Sequence, residues 1–247
     1  RMAMEAVHNR LARTGMTQLK PVPVYVYSDI IQGKGMASSS ADISAAAIAT
    51  ALAGGSQLSY DELAELCLSI EPSDASFYPG IVSFDYIHGK HLDPLGPCPP
   101  MTILIFDEGG TVDTVAFNAR SDLKALVAAK EPQVLEALAL FKEGLHTHDC
   151  KAIGAAATAS ARANQEILPK LSLEFVTKIG SEFGSIGTVV AHSGTIVGLL
   201  FEGDAQTADT ERIDACRETI SQRLPQLTYL DTVHVTNEGF TVRTSPY

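Results

Sequence analysis

Gly33-Lys34-Gly35-Met36-Ala37-Ser38-Ser39-Ser40-Ala41-Asp42 links an apolar run at 22–27 to an alanine-rich run at 44–52. The first run predicts a strand; the second predicts a helix that stops at Gly54-Gly55. Glycine lets the backbone take positive φ and approach a ligand closely. A helix N-terminus offers unpaired N–H groups and the positive end of a dipole, so an anion fits there. Serine hydroxyls at that place can cap the helix, bond phosphate oxygens or hold a magnesium ion. Strand, glycine turn, hydroxyl cluster and helix together predict a triphosphate cradle. The same residues also fit a helix capped after a turn, with phosphate bound elsewhere.

Outward from that stretch the chain mixes strands and helices without strict alternation, which predicts an α+β fold. A helix is expected over 1–14, with Ala3, Val7 and Leu11 on one face and Gly15 closing it. Pro21 and Pro23 stand at the entrance of the 22–27 strand. Ser59-Tyr60-Asp61-Glu62 has the spacing of a capping box. The helix it opens carries Leu63, Leu66, Cys67 and Ile70 inward and ends at Glu71-Pro72. Two β-like segments follow at 80–88 and 101–106, and the proline-rich 94–100 between them marks a domain boundary, giving domains 1–98 and 99–247. Helices are expected at 121–130, 133–147, 149–167, 172–183 and 206–224. Strands are expected at 187–191 and 195–201 around His192-Ser193-Gly194, and again at 229–236 and 239–243.

The bulk composition narrows the function. The chain has 247 residues, 45% of them hydrophobic, enough for a sizeable core. Its net charge of −11 and its lack of a Lys/Arg cluster argue against nucleic acid as a partner. No apolar run reaches the roughly 18 residues that span a bilayer, and no signal-peptide pattern opens the chain. Cys67, Cys98, Cys150 and Cys216 are scattered without C-x-x-C spacing, which suits reduced core thiols in the cytoplasm better than zinc. The chain opens on Arg1 inside a helical pattern, so a further upstream segment is expected.

Spacing separates three glycine-loop chemistries. A Walker A loop needs G-x-x-x-x-G-K-[ST], but Lys34 is followed by Gly35 and position 28 is serine. A dinucleotide fingerprint needs G-x-G-x-x-G, and position 38 is serine. The pattern that stands, G-x-G-x-x-S-S-S-A, resembles the second signature of the GHMP kinases (galactokinase, homoserine, mevalonate and phosphomevalonate kinases). Met36 replaces the usual leucine, Ala37 a glycine, and Asp29 stands where proline is common. With Ile70-Glu71-Pro72-Ser73-Asp74 and Ala191-His192-Ser193-Gly194-Thr195, the form GKGMASSSAD is most similar to one branch. That branch is the L-threonine kinases that supply the aminopropanol linker of cobalamin.

The resemblance implies a two-domain fold, with a mixed α/β N-terminal domain and a ferredoxin-like C-terminal domain. It implies ATP and Mg²⁺ as cofactors and a small hydroxyl compound, most of all the amino acid L-threonine, as acceptor. Homoserine and isoprenoid-pathway kinases, or a non-catalytic nucleotide binder on the same scaffold, are the alternatives. By resemblance, Gly33, Lys34, Gly35, Met36, Ala37, Ser38, Ser39 and Ser40 bind the nucleotide phosphates, Ser39 and Glu71 hold Mg²⁺, and Asp74 is the catalytic aspartate that activates or orients the acceptor hydroxyl. Glu71 and Asp74 equally fit two solvated turn acids, and Lys34 either neutralises phosphate or points to solvent. His192, Ser193, Gly194 and Thr195 are expected at the substrate, or else form a plain hairpin turn. His146, His148 and Asp149 have the look of a metal group at a helix junction, 107–114 suits a cleft lining, and Asn164 and Gln165 face substrate or solvent. The family's opening P-G-x-x-x-L-x-G motif is absent from 1–247, which again implies an upstream piece, of roughly 40–60 residues for a few strands and turns. A homodimer is compatible with all of this.

Overall fold

The computed structural model describes residues 2–13 (of 8–13 the backbone alone), 23–113, 116–117 and 119–243. Two compact units result: residues 1–32, 37–96 and 237–247 form one, and 33–36 with 97–236 form the other. Neither unit is a single run of chain. The loop 33–36 belongs with the later residues and the tail from Asn237 with the earlier ones.

The first unit is built on three helices, α1 (Met2–Arg13), α2 (Ser38–Ala53) and α3 (Tyr60–Leu68). Val7, Ala47, Ala51, Leu63, Leu66 and Cys67 form its core with Phe77 and Tyr78. Small alanines on α2 let the neighbouring helices approach. The capping box at α3 forms as its spacing predicts: Ser59 Oγ accepts from Glu62 N at 3.2 Å and Glu62 Oε2 accepts from Ser59 N at 2.9 Å. Strands β1 (Ile81–Phe84) and β2 (Leu92–Gly96) make an antiparallel pair. β2 runs into the stretch read as a boundary and includes Pro94; each strand of a two-stranded sheet is an edge, where a missing N–H is tolerated.

Two expected strands are not strands. Residues 23–29 and 239–243 have no regular structure. An extended segment becomes a strand only where a neighbour accepts its ladder bonds, and no described segment pairs with either. Gly15 and Val22 lie outside the described residues.

The second unit holds a four-stranded antiparallel sheet ordered β4 (Gly187–Val190), β5 (Ile196–Glu202), β3 (Met101–Asp107), β6 (Thr228–His234). Leu104, Phe106, Val197, Leu199 and Phe201 on the sheet pack with Val176 and Ile179 of α6 (Leu173–Glu182) and Ile213, Cys216 and Ile220 of α7 (Thr210–Arg223). The two helices expected at 121–130 and 133–147 are one, α4 (Leu123–Thr147), with Pro132 inside it. Proline deletes one ladder bond there and does not end the helix, because the far half is held by α5 (Cys150–Ala163). The junction uses the residues that resembled a metal group: His148 closes α4 in the left-handed conformation, and Asp149 caps α5 by accepting from Lys151 N and Ala152 N. That is a capping arrangement. All four cysteines are buried and outside any disulfide among the described residues, and burial pushes Cys67 and Cys216 up to about 12. No helix among the described residues is long and apolar enough to cross a membrane.

Candidate functional site

Gly33 and Gly35 adopt φ of 71° and 81°, the left-handed region that glycine alone enters without strain. The loop they shape is seated on the β3–β5 end of the second unit. Lys34 O accepts from Thr195 N at 3.1 Å, and Gly33 O accepts from Val112 N at 3.3 Å. A Cβ at Gly194 would lie 2.0 Å from Lys34 O, and one at Gly35 would lie 2.6 Å from Ala191 Cβ. The two glycine motifs therefore touch backbone to backbone, which only residues without a side chain allow.

Lys34 turns into the protein rather than to solvent. Its ammonium lies 2.6 Å from Asp107 Oδ2 and donates to Gly110 O at 2.6 Å. Thr195 Oγ1 donates to the same carboxylate. Burial pushes Asp107 up, but the bonds from Lys34, Thr195 and the Gly109 amide outweigh it and hold the carboxyl below its usual range. A depressed carboxyl stabilises the fold above its unfolded pKa, about 3.9, and that contribution is lost as pH falls through the folded value. Asp107→Asn is expected to cost about 1.5–3 kcal/mol at neutral pH, the range for hydrogen bonds to charged groups. The difference in thermal unfolding between variant and parent should shrink as pH drops below about 4; a difference constant with pH would refute the pairing.

The helix that follows starts earlier than predicted, at Ser38 rather than near Ser44. Ala37 takes the left-handed conformation at its N-cap, with φ of 56°, and no side chain caps the end. The serines thus form the first helical turn, and their amides have no partner among the described residues. About 100° of rotation per residue gives each serine its own surroundings. Ser38 and Ser40 are buried, whereas Ser39 is exposed and donates to Glu71 Oε1. Ser40 Oγ accepts from Asp74 N at 2.9 Å, tying the acid's backbone to the helix. Ser73 fixes the same turn, donating through its hydroxyl to Glu71 O and through its amide to Tyr86 O, each at 3.0 Å.

The first unit therefore brings Ser39, Ser40, Glu71 and Asp74 together at one helix N-terminus. Asp74 makes no side-chain hydrogen bond among the described residues, and the surrounding protein, although solvent reaches the residue, raises its carboxyl above the usual value. Ser39 and Glu71 offer adjacent hard oxygen donors, which suit a magnesium ion that keeps several waters and phosphate oxygens. Among the described residues no three His, Cys, Asp or Glu side chains gather as a metal site. The donor set fits an ion held jointly with a phosphate ligand.

The 191–195 turn divides its labour. Gly194 and Thr195 support the loop, while His192 faces another set of side chains. Its Nε2 lies 3.2 Å from Ser160 Oγ, and its carbonyl accepts from Asn164 Nδ2 at 3.3 Å. The surrounding protein, although solvent reaches the residue, and then the charges of Lys130 and Lys170 hold the His192 imidazole down at about 4, so it is neutral at pH 7. Asn164, left open between substrate and solvent by the sequence, is 1% exposed. Lys130, Lys170 and Ser160 are polar residues that the spacing did not single out, whereas Asp107 opens the 107–114 segment expected to line a cleft. An isolated lysine or serine carries no local signal, and only the fold collects them.

Residues 1–79 match the GHMP kinases N terminal domain. The L-threonine kinase of Salmonella typhimurium (strain LT2) is 35% identical over 181 residues, covering 73% of this chain and 60% of that protein. The L-threonine kinase of Citrobacter freundii is 33% identical over 191 residues, covering 76% and 65%. The chain thus spans less than two thirds of the length of these relatives. A Streptococcus pneumoniae phosphomevalonate kinase, solved in complex with phosphomevalonate and AMPPNP, shares the fold with a TM-score of 0.68. It is 12% identical, with 95% of this chain and 80% of that one covered.

Proposed function

We propose that this chain is a kinase of the GHMP type and that it transfers the γ-phosphoryl group of ATP to the side-chain hydroxyl of L-threonine. The observation that carries the reading is the meeting of Ser39, Glu71 and Asp74 at the N-terminus of α2, directly after the glycine loop. The two L-threonine kinases it is similar to support the choice of acceptor; a place in making the cobalamin linker rests on the motif resemblance alone.

In this reading the unpaired amides of Ser38, Ser39 and Ser40, with the loop backbone ahead of them, hold the nucleotide's phosphate oxygens. Phosphoryl transfer needs little covalent help from a protein; positioning and charge neutralisation do most of it. Ser39 and Glu71 would hold Mg²⁺, which when bound neutralises charge on the β- and γ-phosphate oxygens. Lys34, tied to Asp107, keeps the loop in place rather than reaching for phosphate. Asp74 accepts the acceptor's hydroxyl proton as its oxygen bonds to the γ-phosphorus and the bond to the ADP oxygen breaks. The raised carboxyl suits a proton acceptor, since the base is stronger than an ordinary aspartate.

ADP release measured with threonine, serine, homoserine and mevalonate tests the reading. Threonine is expected to give the highest kcat/KM, by about tenfold or more, the size of effect that one methyl or methylene carries in a fitted pocket. Turnover of another alcohol with none of threonine would reassign the substrate. No turnover of any of the four would point to a nucleotide binder.

A further inference from the structure

Around the turn that carries Gly194, the second unit collects cationic and amide side chains that a single acid, Glu108, balances only in part. Lys170 is 4% exposed, and among the described residues its ammonium reaches only the carbonyl of Leu168, at 3.4 Å. Lys130 is partly buried and donates to Asn164 Oδ1 at 2.9 Å. The other end of the Asn164 amide bonds the His192 carbonyl, so one buried amide joins Lys130 to the turn. Neither lysine forms an ion pair among the described residues. Glu108 favours the charge on Lys170, yet its Oε1 is occupied by the amide and hydroxyl of Ser172.

Taking an ammonium out of water without a counter-ion is costly, and here burial pulls both lysines below their ordinary values. Side chains held in that state are ready for an anion, which would restore the missing partner. The formal charges say which anion fits. Lys130 and Lys170 are positive, Glu108 is negative and His192 is neutral. One positive charge is left over, which a single carboxylate balances and a triphosphate overfills.

We infer that Lys130, Lys170 and Asn164 form a subsite for the carboxylate of the acceptor amino acid, joined to the phosphate loop through the 191–195 turn. This rests on the kinase reading for the identity of the acceptor. It extends that reading by naming what separates an amino acid from other alcohols. His192 contributes its carbonyl to Asn164 and its neutral ring to Ser160, positioning the amide rather than carrying charge.

Calorimetric titration of the protein, with AMPPNP and magnesium present, tests it using L-threonine and L-threoninol. Threoninol keeps the hydroxyl and the amine but lacks the carboxylate. Threonine is expected to bind at least about tenfold tighter, the scale of one charge-assisted contact. Lys130→Gln, at a partly buried site, should weaken threonine binding by a similar factor, leave threoninol unchanged and keep AMPPNP affinity within about twofold. Equal binding of the two ligands by the unaltered protein would overturn the proposal without any variant. Undetectable threonine binding would overturn it too, as would a Lys130→Gln protein that binds threonine normally. Weakened AMPPNP with intact threonine binding would make this a phosphoryl site instead. Carboxylate-dependent binding lost in Lys130→Gln, alongside no turnover of threonine, would leave the subsite standing and remove the kinase reading.

Discussion

Asp74→Asn is expected to lower kcat with threonine by about 10²–10⁴-fold, the range a positioned proton acceptor contributes, with ATP binding little changed. Asparagine matches the shape of aspartate and retains the bond from the residue-74 amide to Ser40 Oγ, since that bond uses the main chain. What it removes is the carboxylate that takes the proton. The stability of the variant separates this loss from unfolding. Because burial raises the Asp74 carboxyl, the fold prefers the protonated acid. That preference is complete below the unfolded value of about 3.9 and is lost as pH rises through the folded pKa. At neutral pH the carboxylate is therefore a burden to the fold, and asparagine should leave thermal stability equal or higher. The acid limb of kcat/KM in the parent should lie above the ordinary aspartate range for the same reason. A kcat within twofold of the parent would remove Asp74 from the reaction.

Gly194→Ala should cripple nucleotide binding although residue 194 need not touch the nucleotide. The added Cβ would sit 2.0 Å from Lys34 O, 2.4 Å from Lys34 C and 2.6 Å from Gly35 Cα. All three are backbone atoms, so no rotamer change relieves the clash; the turn and the loop must part by about 1 Å or more. Overpacking of this kind costs about 1–3 kcal/mol of stability. A displacement of about 1 Å at a reacting group costs about 10²-fold in rate. The Thr195 N to Lys34 O bond breaks with the same movement, and the ion pair of Lys34 with Asp107 is strained. ATP titration and thermal unfolding of the variant read both effects. A Gly194→Ala protein with native affinity and native melting temperature would show that the two glycine motifs do not support one another.

Much of the fold is legible in local sequence. The capping box at Ser59, the buried face of α3 and strands β3, β4, β5 and β6 all lie where hydrophobic spacing and turn residues put them. The failures share a cause. Residues 23–27 have strand composition, but a strand is a property of two segments, and their pairing partner is not among the described residues. Pro132 ends a helix only if nothing holds the far half; here α5 does. The start of α2 was misjudged because three serines favour caps and turns in isolation, whereas Ala37 turns the chain so that they begin the helix.

By itself the sequence determined the mixed α+β class and a turn at the glycine–serine stretch running into a helix, since glycine, hydroxyl and helix signals are local and additive. Its motif spacing also carries the resemblance to the GHMP kinases, whose N terminal domain residues 1–79 match. Only the tertiary structure decided which serine meets Glu71 and which holds Asp74, because helical rotation gives each residue of one turn a different direction. It alone decided that Lys34 is neutralised by Asp107 while Lys130 and Lys170 form no ion pair among the described residues. A charge's partner is set by distance in space, and residues far apart in the chain have no way of announcing in a single sequence that folding will bring them within 3 Å or keep them apart.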